Sequence, residues 1–245
     1  MLEPGVIPKK EPDISVGIIL PEDNYTSIDV IVPQDRDYQI EFMGRTIQLG
    51  SGAELLFKLK GSSITILIDG QEKKSESPIK IYPVVDSPEP DPSVDLILKN
   101  VISGRSFHWK KYLNVRLPGT LVVKPFNNQL IAINELPIET YFMCVATSEM
   151  GAECPPALIE AQTIIARSWM LANVEQKHRS LGIDVCNDDC CQRYQGSTHL
   201  TEHSINGALK TYGQVLLHND AICDARYSKS CGGMMEAFEN VWPGE

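Results

Sequence analysis

No run of apolar residues in this 245-residue chain approaches the roughly 20 needed to cross a bilayer as a helix, so no transmembrane helix is expected. Basic residues are in deficit: 22 lysines and arginines stand against 32 aspartates and glutamates, a formal net charge of −10. That balance argues against nucleic-acid binding and against tight attachment to anionic lipid, because those partners carry charge of the same sign. A neutral or zwitterionic partner such as a polysaccharide stays open. The opening "MLEPGVIPKKEPD" lacks the apolar core of a signal peptide. The expectation is therefore a cytosolic protein, or a chain that starts after a removed export segment. Internal repeats and low-complexity tracts are missing as well. Cysteine is scarce, with seven residues, too few for a disulfide-dominated scaffold at this length.

What is present points to an ordinary globular protein. Hydrophobic residues make up 42% of the chain, enough for one large core or two smaller ones. Residues 14 to 85 read as short strands, "ISVGIIL", "SIDVIV", "YQIEF", "ELLFKLK" and "SITILID", punctuated by Pro, Asp-Asn and Gly-Ser. Asp69-Gly70 reads as a hairpin turn, and the proline-rich acidic "DSPEPDPS" from Asp86 to Ser93 as a surface loop or linker. "DLILKN", "YLNVRL", "TLVVKP" and "QLIAINEL" continue the strands. The texture changes after Pro137. A helix is expected from Pro155 or Pro156 to about Gln176, with Leu158, Ala161, Ile165, Trp169 and Ala172 on its apolar stripe. A second helix is expected from Thr201 to Tyr212, stopped by Gly213, then a hairpin turning at Asn219-Asp220. The fold class is α+β: a β-rich region over 1–92 and a helix-containing domain over 93–245.

Chemistry concentrates in three segments. In "YFMCVATSEMGAECPP" an apolar run opens onto Thr147-Ser148-Glu149-Met150-Gly151. Glu149 reads as a helix-capping acid or, desolvated by its apolar neighbours, as a general acid. Glu153 reads as an acid at a helix start, or as the second carboxylate of a glycosidase pair. Arg167 is a surface arginine or a cation that orients Glu149 or a substrate oxygen. In "DVCNDDCCQRYQG" the C-x3-C-C spacing suits a small disulfide or a zinc site, with His178, His199 and His203 near in sequence. In "ARYSKSCGGMMEAFENVW" a polar run precedes Gly232-Gly233 at the end of a strand.

Taken in order, these segments resemble the SpoIID/LytB family of bacteria, the stage II sporulation protein D and amidase-enhancer proteins. "FHWKKYLNVRLPGTLVVK" resembles that family's upstream strand pair, so the likeness runs from about Phe107 to Trp242. The resemblance implies a SpoIID-like catalytic domain in the bacterial cell envelope and a peptidoglycan lytic transglycosylase. Such an enzyme cleaves the MurNAc–GlcNAc bond to leave 1,6-anhydro-MurNAc ends. Glu149 would be the catalytic acid and base, with Arg167, Tyr227 and Lys229 around it. Ser148, Gln162 and Ser230 would be substrate contacts. Cys186 and Cys191 would be ligands of a structural zinc, with no cofactor required for the reaction. The implied partners are peptidoglycan glycan strands, intact or peptide-stripped, and a cell-wall amidase. The alternative is a non-catalytic peptidoglycan-binding enhancer of such an amidase. The chain departs from the family's S-E-M-P-A-S-W-P by placing Gly151, Glu153 and Cys154 in the Pro, Ser and Trp positions. Cys190 stands where relatives often carry His, and Cys231 where they carry Ser. Family domains also usually continue past "VW".

Overall fold

A computed structural model describes residues 1–242 except 69, 70, 86, 88 and 173. The turn expected at Asp69-Gly70 lies outside the described residues, as do Asp86 and Pro88 of the acidic loop and the last three positions.

Alternating side chains build the strands of the first part: β1 (Asp13–Ile19), β2 (Ser27–Ile31), β3 (Tyr38–Phe42), β4 (Arg45–Leu49), β5 (Glu54–Lys60), β6 (Ser63–Ile68), β7 (Gln71–Ser75) and β8 (Ile79–Pro83). Then follow β9 (Leu96–Ser103), β10 (Lys111–Leu117), β11 (Thr120–Phe126) and β12 (Gln129–Pro137). Tyr38, Ile40 and Phe42 of β3 point inward while Gln39 and Glu41 do not, the period of two that one buried face requires. Sequence reading missed β4, β7 and β8. The first two are mostly polar and outermost in their sheets, where charged and polar side chains discourage further pairing, whereas β8 is a short inner strand between β11 and β3.

Two sheets result. One runs β13–β1–β12–β11–β8–β3–β4, with β13 (Val185–Cys186) at its edge, and the other runs β10–β9–β2–β5–β6–β7. Both draw strands from either side of residue 92, since β8 pairs with β11 and β2 with β9. The sheets pack face to face, β11 against β6 and β12 against β5, over a core that includes Tyr38, Phe57, Ile66, Leu98 and Val123. Each such side chain contributes about 1.5–3 kcal/mol on burial. The pairing of β1 with β13 is parallel, Val16 opposite Val185 and Gly17 opposite Cys186, and it fastens the cysteine-rich segment to the sandwich.

The helices occupy the second half, so the molecule is α+β. Helix α1 (Ile138–Met150) leaves β12 directly and is buried from Ile138 to Ser148. The apolar run and the turn expected at residues 147–151 are thus one helix, closed by Gly151 at φ +105°. Tyr141 of α1 stacks on Tyr194, with ring centroids 4.9 Å apart. Helix α2 (Pro156–Ala172) begins on proline as expected and ends short of Gln176. Its buried face is not the expected stripe, because Leu158 is 44% exposed and Ala161 is exposed too. The face turned inward carries Ile159, Gln162, Thr163, Ala166, Arg167 and Met170. Apolarity misreads this helix because its buried polar groups find partners: Thr163 bonds the Ile159 carbonyl, and Ser168 accepts from the Leu216 N–H. Helix α3 (Glu202–Lys210) is capped by Thr201, whose hydroxyl accepts from the Ser204 N–H while Ser204 accepts from Thr201. After Gly213, strands β14 (Leu217–His218) and β15 (Ala221–Ile222) form the expected hairpin, with Asn219 and Asp220 both left-handed. A short helix, α4 (Phe238–Val241), follows.

Candidate active site

Glu149 lies in the last turn of α1, so it caps no helix N-terminus. The aligned peptide dipoles place roughly half a negative charge at that end, which disfavours a carboxylate. Burial is the main cause that lifts its pKa above the ordinary carboxylate value, and Asp189 adds to it. The Arg193 backbone N–H and the Tyr227 hydroxyl oppose the rise. Both donate to the same oxygen: Arg193 N to Oε1 at 2.7 Å and Tyr227 Oη to Oε1 at 2.9 Å. Among the described residues nothing donates to Oε2. Oε1 is already engaged as a double acceptor, so in the neutral acid the proton belongs on Oε2.

Tyr227 reaches this position from the segment after β15. Burial, then the charge of Glu149, pushes its phenol far above the usual tyrosine range, so it stays a donor. The side-chain amides of Gln192 and Gln162 lie beside it. Gln192 is itself fixed, accepting from Tyr141 Oη at 3.1 Å and donating to the Ala166 carbonyl at 3.0 Å. Gln162 Nε2 is buried without a hydrogen-bond partner. An open cleft of about 430 Å³ is bordered by Glu149, Tyr227, Arg193, Lys229, Trp169 and Trp242. Arg226 holds the last of these in place: its guanidinium lies 4.4 Å from a Trp242 ring centroid and bonds Glu175 and Asp224.

Other expected residues fall elsewhere. Ser148 donates its hydroxyl to the Cys144 carbonyl at 2.9 Å, inside α1. Ser230 is exposed beyond Lys229, and Glu153 is exposed beyond Gly151. Sequence reading missed Arg193, Gln192 and Trp242 as parts of the site. Only the tertiary fold brings them to Glu149; the local signal was the polar run Gln192-Arg193-Tyr194 after the cysteines.

Residues 126–218 match the model of the SpoIID family, described as stage II sporulation protein. That stretch is therefore similar to the SpoIID family. An uncharacterized protein of Brachyspira hyodysenteriae is 27% identical over 124 residues, which are 51% of this chain. The aligned part spans 34% of that relative's length. No solved structure matches the chain. Glu149, Arg167, Cys186 and Cys191 lie within the matched stretch, whereas Tyr227 and Lys229 lie beyond it.

Within the matched stretch Arg167 does not touch Glu149. It is 1% exposed and grips Glu139 with two bonds, Nε to Oε1 at 2.9 Å and Nη2 to Oε2 at 2.5 Å. Its Nη1 donates to the Gln214 carbonyl, and Glu139 also accepts from the Gly213 N–H. One buried ion pair thus ties α1, α2 and the loop after α3. Cysteine geometry goes beyond the expected pair. Cys186, Cys190, Cys191 and His178 bring their ligand atoms within 4.8 Å of one another. Hydrogen bonds from Cys186 and Cys191 draw the Cys190 thiol downward, toward the thiolate, while Cys186 and Cys191 are themselves pushed up. All seven cysteines are free in the structure, with Cys186 Sγ and Cys190 Sγ 3.1 Å apart. Three sulfurs and one imidazole suit a closed tetrahedral zinc site, the structural kind with no position left for substrate. His199 and His203 stand outside this cluster.

Proposed function

We propose that this protein is a peptidoglycan lytic transglycosylase of the bacterial cell envelope, with Glu149 as both acid and base. One observation carries the reading: a carboxyl at a cleft wall, desolvated and held on Oε1 by two donors, with Oε2 left to exchange a proton. Glu149 Oε2 gives its proton to the glycosidic oxygen as the bond from MurNAc C1 breaks. The muramyl 6-hydroxyl attacks C1 and forms the 1,6-anhydro ring, and its proton returns to the Glu149 carboxylate. No water is consumed, and the nucleophile is tethered to the reacting sugar, which supplies the advantage of proximity. A single carboxylate suffices, consistent with the exposed Glu153. Tyr227 and the Arg193 N–H hold the acid in place, and Lys229 supplies a cation for substrate oxygens.

Cys186, Cys190, Cys191 and His178 would hold Zn(II), which on binding would cross-link the loop after α2 to the edge of the sandwich. Its role is structural. The reaction itself uses only side chains of the cleft.

The test is mass spectrometry of products from purified peptidoglycan, intact and peptide-stripped, with wild type and Glu149→Gln. Anhydromuramyl products from wild type alone are expected. Binding without products from the folded wild type would replace this reading with that of a non-catalytic enhancer acting on an amidase.

A further inference from the structure

The loop between β9 and β10 presents an exposed Phe107 and a half-buried Trp109. Phe107 is 46% exposed and stacks on Trp109, with ring centroids 5.3 Å apart and an interplanar angle of 17°. The tip is exposed, yet its base is held rigidly. The Asp188 carboxylate accepts from the Gly104 and Arg105 N–H groups at 2.9 and 2.7 Å. The Arg105 side chain, 10% exposed, donates to Asp23, Asn187 and the Ile18 carbonyl. Gly104, at φ +74°, leaves room for the Trp109 ring, where an added Cβ would lie 2.5 Å from a ring atom. An arginine only 10% exposed, with four side-chain bonds, thus fixes the base of this aromatic tip.

Arg193 links this tip to the cleft. Its backbone N–H holds Glu149 and its side chain borders the cleft, while its guanidinium lies 5.4 Å from the Trp109 ring centroid. We propose that Phe107 and Trp109 form a second saccharide subsite, continuous with the cleft through Arg193, that takes a sugar ring of the same glycan strand further from the scissile bond. This rests on the glycan reading of the cleft. The flat apolar rings match the C–H face of a pyranose, and the neighbouring His108, Lys110 and Arg193 offer donors to its hydroxyl and acetamido oxygens. Because the loop is pinned before binding, little ordering entropy opposes the contact.

The test measures binding by calorimetry in a Glu149→Gln background, which prevents cleavage. The probes are a peptide-free glycan strand many sugars long and a single disaccharide. Phe107→Ala and Trp109→Phe are expected to weaken the long strand about 10-fold, equivalent to about 1.4 kcal/mol, with disaccharide affinity unchanged. Thermal unfolding checks that both variants fold. Unchanged affinity for the long strand, or equal loss on both probes, overturns the subsite. If the parent protein binds neither probe, the subsite and the glycan reading fall together. If it binds the long strand but the active protein forms no anhydro ends, the subsite stands and the lytic reading falls.

Discussion

At the scale of single residues, Glu149 illustrates how position changes the chemistry of a common side chain. Most acids next to helices favour the positive end of the dipole; this one sits at the negative end, inside a wall of buried groups. Its pKa is raised by burial, so the sign of its effect on stability follows. The stability this group contributes is full below the ordinary carboxylate value and is lost as pH rises through the elevated folded value. At neutral pH an ionised Glu149 therefore costs stability. Glu149→Gln removes that cost, and the neutral amide oxygen can still accept from Arg193 and Tyr227. The expected outcome is a higher Tm for the variant at pH about 7, with the gap closing by pH about 4, where the free carboxylate begins to protonate. Thermal unfolding across that range checks it. A variant less stable than wild type at neutral pH would show that the ionised carboxylate is well solvated or compensated, contrary to the site described.

At the scale of elements, the Arg167–Glu139 pair decides how α1, α2 and the loop at residues 213–214 meet. Removing one partner leaves the other charge buried. Arg167→Ala and Glu139→Ala are each expected to cost roughly 3–5 kcal/mol in urea denaturation. Losses below about 1 kcal/mol in both would mean that the pair is solvated rather than buried. The likeness to the family singled out Arg167 without showing what it touches. Its partner lies 28 residues earlier in the chain, and no helical spacing links the two. The same limit applies to α2, where apolar residues marked a stripe but the hydrogen-bond partners of Thr163, Arg167 and Ser168 set the buried face.

At the scale of the whole molecule, the cysteine-rich segment is a seam. Val185 and Cys186 pair with β1, Asp188 anchors the aromatic loop, and Arg193 supports the catalytic candidate. A zinc ion on Cys186, Cys190, Cys191 and His178 would stabilise the seam and everything hung from it. At a free zinc concentration about 1,000 times Kd the expected gain is about 4 kcal/mol. A strong chelator should therefore lower Tm, added Zn(II) should restore it, and Cys186→Ser should abolish the response. No change in Tm with the chelator, and no metal in the purified protein by mass spectrometry, would overturn the zinc assignment.

The sequence by itself determined most strands, the proline start of α2, the place of α3 and the Asn219-Asp220 turn, because each depends on local periodicity or backbone preference. It also marked Glu149 and the cysteine cluster, through residue types and order along the chain. Only the tertiary structure decided that Glu149 ends a buried helix, that Tyr227 and Arg193 share its Oε1, and that Arg167 belongs to Glu139. It also brought His178 and Cys190 to the other two cysteines. These facts depend on groups distant in sequence, and an acid's environment is set by what folds over it, not by its neighbours along the chain.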